Sequence, residues 1–470
     1  MISELPAHIK LPEPKLAFHP SFEDSTDIHP LRGLSKFGPY SQSFFAGPIR
    51  IATLAPRGKT GLVNSLMRDL KRPVQLHKRA DFNMDWPSFE TIFRVQIEPA
   101  PQECRIELPD DLASRLRTAE KPASVLVEIL DGYIKGIAES RYKFDVLLLL
   151  IPKEWEAYST DYENNFDLHD HLKAMCAVRK IPIQILKENG AISFYDRASV
   201  MWRIGVALYA KAGGIPWKIA GGDTDTAHIG LSYALRPGPN GETEFVTCCS
   251  QVFDNEGSGL EFVAYNTDEA EGMRRGNPFL SRMEMFRVMT RSLDLYRRRH
   301  AGRTPKNIVI HKSTEFRKPE IDACMDAFHL CENIDLIRVV QNVGWRGILI
   351  DQANGAKGAR FPVERGTLLN IGDREALLWV HGSVQQGPNN SPYFQGKRST
   401  PQPIKLIRDG GHGSWERTAA ATLALSKMDW NNDALYGQLP VTLSYSSVLA
   451  NVIKRMTKIG SEPYEYRYFM

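Results

Sequence analysis

Between residues 48 and 211, short apolar runs alternate with stretches of helical period, a pattern that constrains the chain to a parallel, doubly wound sheet. Pro48–Leu54 reads as a strand, Gly58 as a turn and Gly61–Leu70 as a helix. A helical pattern resumes at Ala123, passes Tyr133 and Ile134, and leads to a strand over Phe144–Ile151. The helix DLHDHLKAMCAVRK, the strand Ile181–Leu186 and the helix MWRIGVALYAK follow, the last closed by Gly213 and Gly214 as a C-terminal stop. Parallel strands need crossover helices, and ligands of such sheets collect at the carboxyl edge of the strands. Gln184 lies in one of those strands.

The pattern changes after residue 216. Hairpin-like strands over 228–235, 243–252 and 260–265 precede a long helix over 280–299 and a further strand at Asn307–Ser313, which predicts a mixed sheet. Residues 1 to 40 are rich in Pro, His and acidic residues with little periodicity and read as an extended leader or a packed arm. The expected organisation is therefore a leader over 1–40, an α/β domain over 41–215 and a mixed-sheet domain over 216–470.

Composition narrows the function classes only a little. The longest apolar stretch, Val146–Ile151, is far too short to span a bilayer, and Met1–His8 lacks the basic start and apolar core of a signal peptide, so a cytoplasmic protein is expected with no membrane partner. Six cysteines without paired metal spacing read as reduced core thiols. The net charge of +4 is too mild to imply a polyanionic partner without local clustering. Clustering does occur: Arg287, Arg291, Arg298 and Arg299 recur along the predicted helix and suit contacts to a nucleic-acid backbone, although such runs often form only a solvated face.

The most specific chemistry lies in four residues. His169 and Lys173 stand four apart and project from one helix face, Gln184 follows on a strand, and Lys211 ends a second helix. Two lysines, an imidazole and a carboxamide converging from three elements are chemistry for a dianion such as a terminal phosphate. Taken singly, each residue is as well explained by a solvated face or a cap. A competing motif, Ala55–Thr60, falls between a strand and a helix as a phosphate-cradling loop would, with Lys59 and Thr60 in the binding positions. Thr53 stands where that loop needs its first glycine, so a P-loop-like NTPase is the weaker alternative.

The spacing of His169, Lys173, Gln184 and Lys211 resembles the guide 5'-end pocket in the MID domain of Argonaute proteins, in the variant with His in place of the more usual Tyr. The resemblance continues through Ile215-Pro216-Trp217, the strand His228–Ala234, the strand Asn307–Ser313, the segments Ser426–Asn431 and Leu439–Ala450, and the terminal Tyr468-Phe469-Met470. It implies a Rossmann-like MID domain followed by an RNase H-like PIWI domain, without N or PAZ domains, as in short prokaryotic Argonautes. In cleaving relatives, carboxylates hold two metals. The resemblance puts Ser232, Lys312 and Ser447 at those positions, so a binding but non-cleaving protein is expected, with Lys312 repelling cations. Asp223, Asp225, Asp254 and Glu256 are the only nearby substitutes for an active nuclease. The resemblance further implies Mg2+ at the guide phosphate, held by Gln184 and the Met470 carboxylate. The implied partners are a guide RNA, a single-stranded DNA target and an APAZ-containing effector, sirtuin-like in preference to TIR-type, whose NAD consumption serves defence.

Overall fold

The structure is a computed structural model. It describes residues 7–470 except 42–44, 78–83, 162–165, 222–224, 238–242, 253–259, 268–269, 275–276, 352–354, 361, 386–392, 395–399, 432–433, 457–458 and 461–462. Asp223, Asp254 and Glu256 lie outside the described residues.

The first domain is the predicted doubly wound sheet. β1 (Ile49–Pro56) leads through α1 (Thr60–Lys71) to two short strands, Ile97–Pro99 and Arg105–Leu108, both parallel to β1. β2 (Val146–Ile151), α2 (Leu168–Val178), β3 (Ile183–Lys187) and α3 (Arg197–Lys211) complete it. The spatial order is β3, β2, β1 and then the short strands, all parallel, so the direction of winding reverses between β1 and β2. β2 is buried along its whole length, which explains why it reads as a continuous run of apolar residues with no alternation.

The second domain is built on a mixed sheet of ten strands. Its centre comprises β4 (Thr226–Pro237), β5 (Thr243–Val252), β6 (Leu260–Thr267), β7 (Asn307–Lys312) and β8 (Asn333–Val340), in the order β6, β5, β4, β7, β8. The first three are antiparallel, while β4, β7 and β8 run parallel, which is the RNase H-like arrangement. Two helical layers cover the sheet. Ile229, Leu231 and Tyr233 of β4 pack with residues of α4 (Arg282–Arg299) and α5 (Lys318–Ala327). Ala234 and Cys248 belong instead to the core shared with the first domain and α6 (Val441–Ile453). Gly230 is required where α6 crosses β4, since a Cβ there would stand 2.0 Å from the carbonyl oxygen of Thr442.

The leader is a packed arm. His8–Lys10 forms the edge strand of the large sheet against Thr367–Leu369, and Leu16–Ala17 pairs with Lys218–Ile219. Ser447, which the resemblance puts at a ligand position of cleaving relatives, lies within α6 with its side chain exposed. No helix among the described residues is long and apolar enough to cross a membrane.

Candidate phosphate-binding site

α2 begins at an Asp167 cap, whose carboxylate accepts the backbone N–H groups of His169 (2.8 Å) and Asp170 (3.3 Å). One turn further, Lys173 points into the body of the molecule and is buried. Its Nζ donates to the carbonyl oxygen of Phe469 at 2.7 Å, so the C-terminal tail closes over it. Lys211, also buried, donates its Nζ to Gln184 Oε1 at 2.5 Å and stands 3.5 Å from Asn431 Oδ1. The Gln184 amide is held in that orientation by donating its Nε2 to the Ile185 carbonyl oxygen. Lys173, Gln184 and Lys211 are thus tied to one another through the tail and the Trp430-Asn431 turn, and His169 stands at the start of α2 with its side chain 44% exposed.

Burial depresses the ammonium of Lys173 to about 8 and that of Lys211 well below its ordinary value; the charge of Lys173 further disfavours that of Lys211, while Asp170 and Asp429 favour charge on Lys173 and Asp429 favours it on Lys211. A dianion entering between the two lysines would reverse both effects. The terminal residue, Met470, is buried and one peptide from the Lys173 contact. The Gln184 amide oxygen is a hard oxygen donor of the kind magnesium takes. Asp167, His169 and Asp170 also bring ligand atoms within 4.8 Å of one another at the lip of the site, although the Asp167 carboxylate is already engaged as a cap.

The expectation that ligands gather at the carboxyl edge is not met. Gln184 is the second residue of β3 and lies opposite Leu148 in the middle of β2, so the lysine site is set back along the sheet. The crevice beyond β1 and β2 instead holds an ion cluster, in which Lys59 Nζ contacts Glu154 at 2.8 Å and Glu188 at 2.6 Å. That pairing also weighs against the NTPase alternative: Lys59 contacts two carboxylates, and only Arg57, Gly58 and Lys59 separate β1 from α1. So short a turn has too few N–H groups to wrap a phosphate.

One further reading needs correction. Lys312 does not stand where cations would sit. It faces the α4 and α5 layer, where its Nζ meets Glu320 Oε1 at 2.6 Å among the rings of Tyr233, Phe279 and Phe316. By strand alternation, His311 shares the face of Gly230 and Ser232, and its Nδ1 lies 2.9 Å from Thr442 Oγ1 of α6. Ser313, just beyond β7 and exposed, returns to that same face and is the position a second ligand would occupy. Counting the parity of β7 against β4, whose Leu231 is opposite Lys312, was the signal that could have found it.

The arginines of α4 lie on the layer opposite α6 and do not converge on the lysine site. Arg287 pairs with Glu284 at 2.7 Å, Arg299 pairs with Glu261, and Arg291 lies over the Tyr265 ring at 5.3 Å. Arg298 is exposed.

Solved structures give the fold an independent anchor. The chain superposes on Clostridium butyricum Argonaute bound to a guide DNA with 5' deoxycytidine and a 19-mer target DNA, with a TM-score of 0.67 at 17% identity, covering 97% of this chain and 54% of that one. It has an Argonaute-like MID and PIWI fold. Drosophila Piwi matches similarly, with a TM-score of 0.63 at 14% identity, covering 98% of this chain and 56% of that one. The chain therefore spans about half the length of these Argonaute and Piwi structures. No protein-family model matches the sequence, and no curated protein matches it.

Proposed function

We propose that this chain binds the 5'-phosphorylated end of a guide strand, an RNA, and uses the rest of that strand to recognise a single-stranded DNA target without cutting it. One observation carries this reading. Lys173 and Lys211 are both buried, yet their hydrogen-bond acceptors are neutral oxygens of Phe469, Gln184 and Asn431. Burying two ammonium groups without hydrogen-bonded carboxylates is costly unless a ligand supplies the charge. A terminal phosphate placed between them would accept from Lys173, Lys211 and the Gln184 amide, with His169 free at the rim to stack on or hydrogen-bond the first nucleotide. Magnesium, held by Gln184 and the Met470 carboxylate, would neutralise phosphate charge there.

Ser232 and Ser313 give the PIWI face hydroxyls in place of the carboxylates that a two-metal site requires. Asp225 is paired with Lys306 at 2.9 Å, which weighs against its service as a metal ligand. A protein that recognises without cutting needs an effector, and we assign that role to an APAZ-containing partner, sirtuin-like in preference to TIR-type, whose NAD depletion follows target binding in prokaryotic defence.

The deciding experiment compares a 5'-phosphorylated guide with its 5'-hydroxyl twin on the wild type and on Lys173→Ala/Lys211→Ala, with magnesium and target integrity followed together. A phosphate preference lost in the variant, with the target intact, is expected. Equal binding of the two guides by the wild type refutes the pocket.

A further inference from the structure

A second surface of the first domain has the chemistry of a strand-binding platform. Phe194 and Tyr195 lie in the turn just before α3 and are 44% and 64% exposed. Their rings touch, with centroids 4.9 Å apart and planes at 37°, and the ring of His77 meets Tyr195 edge-on at 6.0 Å. Lys211 ends α3, which has 15 residues, so this cluster stands about 22 Å from the lysine site at roughly 1.5 Å per residue.

Cations border the rings. Arg197, two residues after Tyr195, reaches Asp69 at 3.1 Å, and Arg72 reaches the other oxygen of that carboxylate at 2.7 Å. One carboxylate serves two guanidiniums, and Arg72 remains 67% exposed. Asp69 and Asp196 are buried, and Asp196 accepts the Ser199 hydroxyl at 2.8 Å. Beside His77 the exposed Asp85 accepts the Leu76 N–H at 2.9 Å, so the positive charge offered to solvent near the rings is that of Arg72. On the outer face of α1, Arg68 and Lys71 line a shallow depression of about 430 Å³ together with Asn64 and Met67.

We propose that this surface binds single-stranded nucleic acid, with bases stacking on Phe194 and Tyr195 and the backbone running past Arg72 toward Lys71 and Arg68. Every base offers a π face, so exposed rings bind without sequence preference, and flanking cations hold the phosphates. The small apolar area, ringed by charge, matches a strand better than it matches a protein interface with a desolvated apolar centre. The site neither uses the lysine pocket nor depends on that assignment.

The test is fluorescence anisotropy of a short 5'-hydroxyl single-stranded RNA with the full chain across a salt series. Phe194→Ala/Tyr195→Ala is expected to weaken binding by about tenfold or more, from roughly 1–3 kcal/mol per stacked base. Phe194→Trp/Tyr195→Trp is expected to restore it. Lys71→Gln/Arg72→Gln is expected to lower the slope of log K against log salt by about 1.4, at roughly 0.7 per phosphate contact. The proposal is overturned if the alanine pair binds as the wild type does, which is also the outcome of a surface that serves a protein partner. It is equally overturned if tryptophan fails to rescue.

Discussion

Replacing Lys173 with methionine is expected to stabilise the protein at neutral pH while destroying its binding site. Burial holds the Lys173 ammonium at about 8, against an ordinary value of 10.5. At roughly 1.4 kcal/mol per pH unit, that gap is about 3 kcal/mol of disfavour for the charged form in the folded state. At pH 7 both folded and unfolded chains carry the proton, so the whole penalty falls on the folded state. Between about pH 8 and 10.5 the folded chain releases the proton first, the unfolded chain binds more protons, and stability rises with pH. Methionine fills a similar volume without charge and also relieves Lys211, whose ammonium is disfavoured by Lys173. Against this gain stands the lost hydrogen bond to the Phe469 carbonyl, worth about 1–2 kcal/mol if that oxygen stays unsatisfied. The net expectation is a gain of about 1–2 kcal/mol at pH 7 that shrinks toward zero or reverses by pH 10. Urea unfolding of both proteins at the two pH values, at fixed ionic strength, measures it. A variant that is destabilised equally at pH 7 and pH 10 would refute the claim that the charge of Lys173 strains the fold.

Other consequences are as direct. Deleting Phe469 and Met470, or extending the chain beyond Met470, is expected to abolish discrimination between 5'-phosphate and 5'-hydroxyl guides, since the tail supplies the acceptor of Lys173; a tagged protein that retains the preference contradicts this. Lys312→Ala should cost about 3–5 kcal/mol by stranding Glu320, whereas Lys312→Met/Glu320→Gln should cost much less, and a thermal melt separates them. Lys59→Met should leave guide binding intact and reveal no nucleotide-binding defect by calorimetry, with a stability loss near or below about 1 kcal/mol because Glu154 is well exposed.

Much of this architecture could be read from the chain because its strands and helices have unambiguous periods. Thr243–Val252 was visible as a strand at its observed limits, and α2, β3 and α3 fell where their capping and apolar patterns put them. What escaped the sequence depended on parity or on distant pairing. Lys312 and Ser313 are adjacent in the chain but belong to opposite faces of the sheet, and only register against β4 separates them. Ser447 lies inside α6 because Pro440 caps that helix well before it. His8–Lys10 has too few residues to show alternation, and its partner strand is more than 350 residues away. The exposed ring pair at Phe194 and Tyr195 carries no sequence signal at all, since buried and exposed aromatics are spelled alike.

The buried cations of this protein divide by the company they keep, and the division is what singles out the ligand site. Lys312 has Glu320. Arg365 and Lys427 share Glu13, the latter at 2.7 Å, and this network fastens the N-terminal arm to the second domain. In each case the charge is matched within the chain, so the group needs nothing from outside and its role is structural. Lys173 and Lys211 are as deeply buried, Lys173 is close enough to disfavour charge on Lys211, and both are hydrogen-bonded only to neutral oxygens among the described residues. The fold tolerates that cost in the same molecule in which it pairs Lys312, Arg365 and Lys427, and also Arg408 with Asp335 at 3.1 Å. Lysines held together beside a carboxamide, with Asp170 and Asp429 acting on them only through space and no carboxylate hydrogen-bonded to either among the described residues, are best accounted for by an anion that is absent from the folding equilibrium and present in function.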